Sequence, residues 1–139
     1  MTVYLPYGYR YGPHEIKMCY IDTTVCAATT VNAGDMLSVS ATAGAGYLVP
    51  AEAGCTAVVA VACETKAPGA TTVMADSALD AVYEYPANDT VEASLKDTLA
   101  DVAAAQTVDV TSPTDKCLYI VDVDTTNCTL FVRIAKQAV

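Results

Sequence analysis

Tryptophan is absent from this chain of 139 residues, phenylalanine occurs once, at Phe131, and histidine once, at His14. With one imidazole, a Ser-His-Asp or Cys-His constellation has only His14 to use, and His14 sits in a Pro- and Gly-rich stretch ill suited to rigid positioning. The same scarcity, with no Cys-x-x-Cys pair, disfavours zinc. Neither G-x-G-x-x-G nor the Walker pattern occurs, which removes the two common phosphate-cradling loops. Cations are few as well: seven Lys plus Arg face sixteen Asp plus Glu, for a net charge of −9. They do not cluster, so binding to nucleic acid is not expected. No run approaches the roughly 20 apolar residues that a membrane-spanning helix needs. The loop Asp122 to Asn127 looks like a calcium loop only superficially, because Asn127 stands at the glycine position and Arg133 where a bidentate Glu is required. Catalytic residues, metal and cofactor are all expected to be none.

What remains is a small-residue, apolar polypeptide. Hydrophobic residues make up 53 % and charged ones 17 %, which argues for a packed core rather than disorder. Much of the apolar content is Ala and Val, so that core should be built of thin side chains. The length fits one domain that needs neither metal nor disulfide to fold. Residues Met1 to Tyr7 lack a charged stretch followed by an apolar one, so synthesis in the cytosol is expected.

The centre of the chain, Ala33 to Pro86, reads as short strands separated by small-residue turns: Ala33 to Val39, Tyr47 to Ala51, Cys55 to Cys63, Thr71 to Met74 and Ala81 to Pro86. Cys55 to Cys63 is apolar on both alternating faces, as in a strand covered on two sides or packed inside a small barrel. A first strand is expected within Ile16 to Val25, where Ile16, Met18, Tyr20 and Asp22 alternate with Lys17, Cys19 and Ile21. Asp89 to Val102 carries a capping-box start, Asp89-Thr90-Val91-Glu92, and apolar residues at helical spacing but many poor helix formers, so both a short helix and an irregular loop remain open. Near the C-terminus, Cys117 to Val123 and Cys128 to Ile134 flank Asp124 to Asn127 and predict a hairpin. A turn centred on Thr125-Thr126 would pair Val123 with Cys128, Val121 with Leu130, Tyr119 with Val132 and Cys117 with Ile134, all on the core face. The fold class expected is all-β: a small barrel or sandwich with an extended N-terminal arm (1–20), a single barrel-like domain (21–139) and a C-terminal hairpin.

The arm holds Tyr4, Tyr7, Tyr9, Tyr11 and Tyr20 among Pro, Gly, Arg10 and His14. Tyrosine offers large contact area at little entropic cost, so Tyr4, Tyr7, Tyr9, Arg10, Tyr11 and His14 are candidates for docking on a partner. The alternative is an arm folded back over an edge of its own sheet. Six cysteines, Cys19, Cys26, Cys55, Cys63, Cys117 and Cys128, allow fifteen pairings if all are bridged. Cys117 and Cys128 would lie roughly 20 Å apart along the hairpin, and Cys55 and Cys63 further still on one straight strand, so neither pair should close. Each thiol is then a small buried hydrophobe, or bridges to a distant segment or another subunit.

Gly34-Asp35 before a strand, Val49-Pro50-Ala51 after a Gly-rich turn, the Ala/Val run Val58 to Glu64, and Gly69 to Val73 together resemble the small head-decoration (cement) proteins of tailed bacteriophages. The resemblance does not extend to the Tyr-rich arm or the cysteines. It implies a β-rich unit without an active site that binds the major capsid protein on the outside of an assembled head and stabilises the shell. It further implies a homo-oligomer, with a trimer favoured, located on the virion after synthesis in the host cytoplasm. A receptor- or carbohydrate-binding β-domain on a virion or fibre, with tyrosines stacking on a ligand, is the rival reading.

Overall fold

The structure is a computed structural model and describes residues 8–41, 43–111 and 113–135. It contains eleven strands: β1 Gly8–Tyr11, β2 Ile16–Ile21, β3 Met36–Ser40, β4 Gly44–Pro50, β5 Ala60–Ala62, β6 Thr72–Asp76, β7 Val82–Pro86, β8 Leu99–Ala104, β9 Thr107–Asp109, β10 Leu118–Asp124 and β11 Thr129–Ile134. One short 3-10 turn, Ala93–Leu95, is the sole helical element among the described residues. The expected all-β class therefore holds. The strands form a closed barrel in the order β2-β4-β3-β5-β6 and a six-stranded sheet in the order β1-β7-β11-β10-β8-β9. Within the barrel β2 and β4 run parallel, while the other neighbours are antiparallel.

Two cores follow from this layout. The barrel interior is filled by Cys19, Ile21, Cys26, Val31, Leu37, Leu48, Ala60, Ala62, Val73 and Ala75. These are mostly thin side chains, as a five-stranded barrel requires. The larger core lies between barrel and sheet, where Met36, Val58 and Val61 meet Tyr83, Tyr85, Leu118, Ile120, Leu130 and Val132. Strands β3 and β5 serve both: Leu37, Ala60 and Ala62 point into the barrel, while Met36 and Val61 point toward the sheet. The two-faced apolar pattern has this cause.

The Gly34-Asp35 turn is where the two halves join. Tyr85 Oη donates to Gly34 O at 2.6 Å, and Gln106 Nε2 donates to Asp35 Oδ1 at 2.8 Å. The amide of Met36 donates to Ala105 O at 2.8 Å. Between β1 of the sheet and β2 of the barrel the chain turns at Gly12. Its φ is +106°, and a Cβ there would lie 2.5 Å from Asp80 O, so no other residue fits unchanged.

Three expectations are corrected. The strand expected over Cys55 to Cys63 shrinks to Ala60–Ala62. The ladder ends because β3 offers β5 only Met36 and Leu37, and β6 offers it only Ala75 and Asp76. Burial without a partner strand does not make a strand. Second, the stretch left open between helix and loop yields only the 3-10 turn and then β8, which the sequence reading missed. Third, the hairpin exists but with another register: Leu118 pairs with Ile134, Ile120 with Val132 and Val123 with Leu130. The turn spans Thr125 to Cys128, and a bulge between Ile120 and Asp122 shifts the register again. The carboxylate of Asp124 sets that turn, accepting from the amides of Thr126 and Asn127 at 3.0 Å and from Asn127 Nδ2 at 2.8 Å. Leu118 and Ile120, rather than Tyr119 and Val121, therefore face the core.

Candidate docking site

Tyr4 and Tyr7 lie outside the described residues. The other arm candidates are largely engaged by the chain itself. Gly8–Tyr11 pairs with β7 as the edge of the six-stranded sheet, with Gly8 opposite Glu84 and Tyr9 opposite Tyr83. Arg10 Nε donates to Glu84 Oε1 at 2.8 Å, and the other Glu84 oxygen accepts from Thr129 Oγ1. Tyr9 packs on His14 with ring centroids 4.1 Å apart and donates its hydroxyl proton to Gly12 O at 2.6 Å. Tyr11 alone of these four is half exposed without such a contact. The boundary drawn at residue 20 falls inside β2, one strand of the barrel.

His14 closes one side of a cleft of about 310 Å³ between barrel and sheet. Its Nδ1 contacts Asp76 Oδ2 at 2.5 Å, and Asp76 Oδ1 accepts from the amides of Glu15 at 2.9 Å and Ala78 at 3.0 Å. Burial alone would raise the Asp76 carboxyl; the Glu15 amide, His14 and the Ala78 amide outweigh it and hold the group below its ordinary range. Tyr83 lies beneath, with its buried hydroxyl unpartnered and its ionisation pushed far up by burial and then by Asp76. Burial and the neighbouring carboxylate thus favour the neutral phenol, and the donors around Asp76 favour its charged form. Among the described residues no cluster of three or more His, Cys, Asp or Glu is placed to hold a metal.

The most exposed apolar surface lies elsewhere, on the outside of the barrel. Ile16, Met18 and Tyr20 alternate along β2 and are 49 %, 54 % and 54 % exposed, while Cys19 and Ile21 between them point inward. Met74 of β6 stands directly across from Met18, and Tyr47 of β4 directly across from Tyr20. The Tyr20 and Tyr47 rings are 6.3 Å apart. These five side chains form one contiguous stripe over three neighbouring strands. Lone exposed apolar residues are ordinary, but a contiguous patch of Met and Tyr is the composition of a contact surface. The alternation along β2 puts apolar residues on both faces, Ile16, Met18 and Tyr20 on one and Cys19 and Ile21 on the other, so pattern alone does not say which lies inside. Met74 and Tyr47 carried no signal until strand pairing brought them to β2.

All six candidate cysteines are free thiols: Cys19, Cys26 and Cys117 are buried, Cys55 is half-buried, and Cys63 and Cys128 are exposed. Cys117 immediately precedes β10 and Cys128 lies in the turn at its far end, apart as expected. Compared with protein-family models, curated proteins and solved structures, the chain matches none.

Proposed function

We propose that this protein is a structural virion component that seats the outer face of its barrel on the major capsid protein of an assembled phage head and stabilises the shell. The observation that carries the reading is the unpartnered stripe of Ile16, Met18, Tyr20, Tyr47 and Met74 on a rigid, closed set of strands. Such a surface has adhesive area and little conformational entropy to lose on docking. The resemblance of the Gly34 to Val73 span to head-decoration proteins supplies the partner, and the charge of −9 keeps the free protein soluble before it docks. The reading extends to a homo-oligomer, a trimer, in which copies meet around a lattice point of the shell.

The test is co-sedimentation of the purified protein with heads of its phage prepared without it. The wild-type chain pellets with heads, and the double variant Met18→Lys with Tyr20→Lys stays in the supernatant with an unchanged circular dichroism spectrum. Equal pelleting of both, or none of the wild type, would overturn the proposal. Substitution is a better probe than deletion of residues 1–14, because deletion strips β1 from its sheet and the His14 contact from Asp76.

A further inference from the structure

Apart from Ile16, none of the residues lining the cleft that His14 closes belongs to the docking stripe. Ile16, Val61 and Ala62 of the barrel give the cleft an apolar wall, and Tyr9 and Tyr83 of the sheet an aromatic one. Those walls are fixed by the fold: Gly34 N donates to Ala62 O at 2.8 Å, and Tyr85 Oη holds Gly34 O. At about 310 Å³ the cleft stands at the lower end of the range of small-molecule sites, about 300–1,000 Å³.

Two polar side chains that are each only 2 % exposed line this cleft, Asp76 and Tyr83. They are linked through rings: Tyr83 meets Tyr9 edge-on with centroids 6.0 Å apart, Tyr9 packs on His14, and His14 Nδ1 reaches Asp76 Oδ2. An ionised carboxylate offers about four acceptor positions. The chain fills three of them at Asp76, with His14 Nδ1 on Oδ2 and the amides of Glu15 and Ala78 on Oδ1. Tyr83 Oη is buried and has no hydrogen-bond partner among the described residues. A buried hydroxyl in that state is costly unless something entering the cleft meets it.

The unfilled capacity is thus one acceptor place on Asp76 and a phenol with a proton to give. A ligand group that answers both must donate and accept, which a hydroxyl does and an ammonium, with no lone pair, does not. Anions are disfavoured, because the lining includes the Asp76 carboxylate and neither Lys nor Arg. The apolar and aromatic walls call for C–H surface on the same molecule. We propose that this cleft is a binding site for a single hexopyranose ring, whose hydroxyls donate to Asp76 Oδ2 and accept from Tyr83 Oη while its C–H face lies against Tyr9. The site does not rest on the head-docking reading, since neither Asp76 nor Tyr83 belongs to the stripe.

The test titrates the full chain with the methyl glycosides of glucose, galactose, mannose and N-acetylglucosamine, and follows the imidazole resonances of His14, the only histidine of the chain. At least one glycoside is expected to shift them saturably, with a dissociation constant of about 1 mM. Tyr83→Phe should weaken that binding about tenfold and leave the thermal midpoint of the free protein no lower, because the hydroxyl it removes has no partner to lose. Cys63→Trp, which places a bulky ring at an exposed position on the cleft wall, should abolish the shift and keep the circular dichroism spectrum. The proposal is overturned by no shift from any of the glycosides, by undiminished binding in either variant, or by a lowered midpoint in Tyr83→Phe. A tighter response to n-butylamine or butyrate than to every glycoside would overturn it too.

Discussion

The barrel and the six-stranded sheet place their large apolar side chains in opposite directions. In the sheet, Tyr85, Leu118, Ile120 and Leu130 are wholly buried against the barrel. Its other face is finished with partnered groups: the Arg133 guanidinium lies 4.4 Å from the Tyr119 ring centre, and Tyr119 Oη donates to Asp97 Oδ1 at 2.9 Å. In the barrel the interior takes small residues, and Met18, Tyr20, Tyr47 and Met74 stand outside. The sheet half therefore uses its bulk for internal cohesion, whereas the barrel half leaves its bulk available for contact. Closure explains the difference, since a five-stranded barrel has no room inside for such side chains.

If that contrast is real, truncation costs most at the interlayer core. Ile120→Ala should lose about 4 kcal/mol in urea unfolding, and Val73→Ala inside the barrel about 2 kcal/mol. Equal losses would break the contrast. Next comes the anchor of the turn leading into β10. Burial opposes ionisation of Asp101, but the amides of Thr114, Lys116 and Asp115 and the Thr114 hydroxyl prevail and depress the group. Because the folded group titrates below the unfolded value of about 3.9, its stabilisation is complete above that pH and fades as pH falls through the folded value. Asp101→Asn should cost about 2 kcal/mol at neutral pH, and acid titration of the two proteins should show the gap narrowing below about pH 4. The smallest effects belong to the outward faces. Arg133→Ala should cost about 0.5 kcal/mol and leave head binding intact. The Met18→Lys and Tyr20→Lys pair should likewise change stability by less than about 1 kcal/mol, so a head-binding defect in it reports on contact, not folding.

Particular residues mark how far the sequence could be read. The strands β3, β4, β6 and β7 were legible from β-branched residues bounded by Gly and Pro, and the hairpin from two apolar runs around Asp124 to Asn127. Its register was not, because Tyr119 and Val121 are as apolar as Leu118 and Ile120, and only the bulge and the four-residue turn choose between them. The stretch β8 was hidden because Leu95, Leu99 and Val102 satisfy helical spacing too. The candidate contact face was half legible: the alternation through β2 was visible, its orientation was not.

The sequence by itself determined an all-β, acidic body, since alternation, small residues and scarce cations are local properties that each segment carries alone. Only the tertiary structure decided that Met18 and Tyr20 face outward and that Met74 and Tyr47 join them. A strand that is apolar on both faces has no preferred inside until its neighbours close around it.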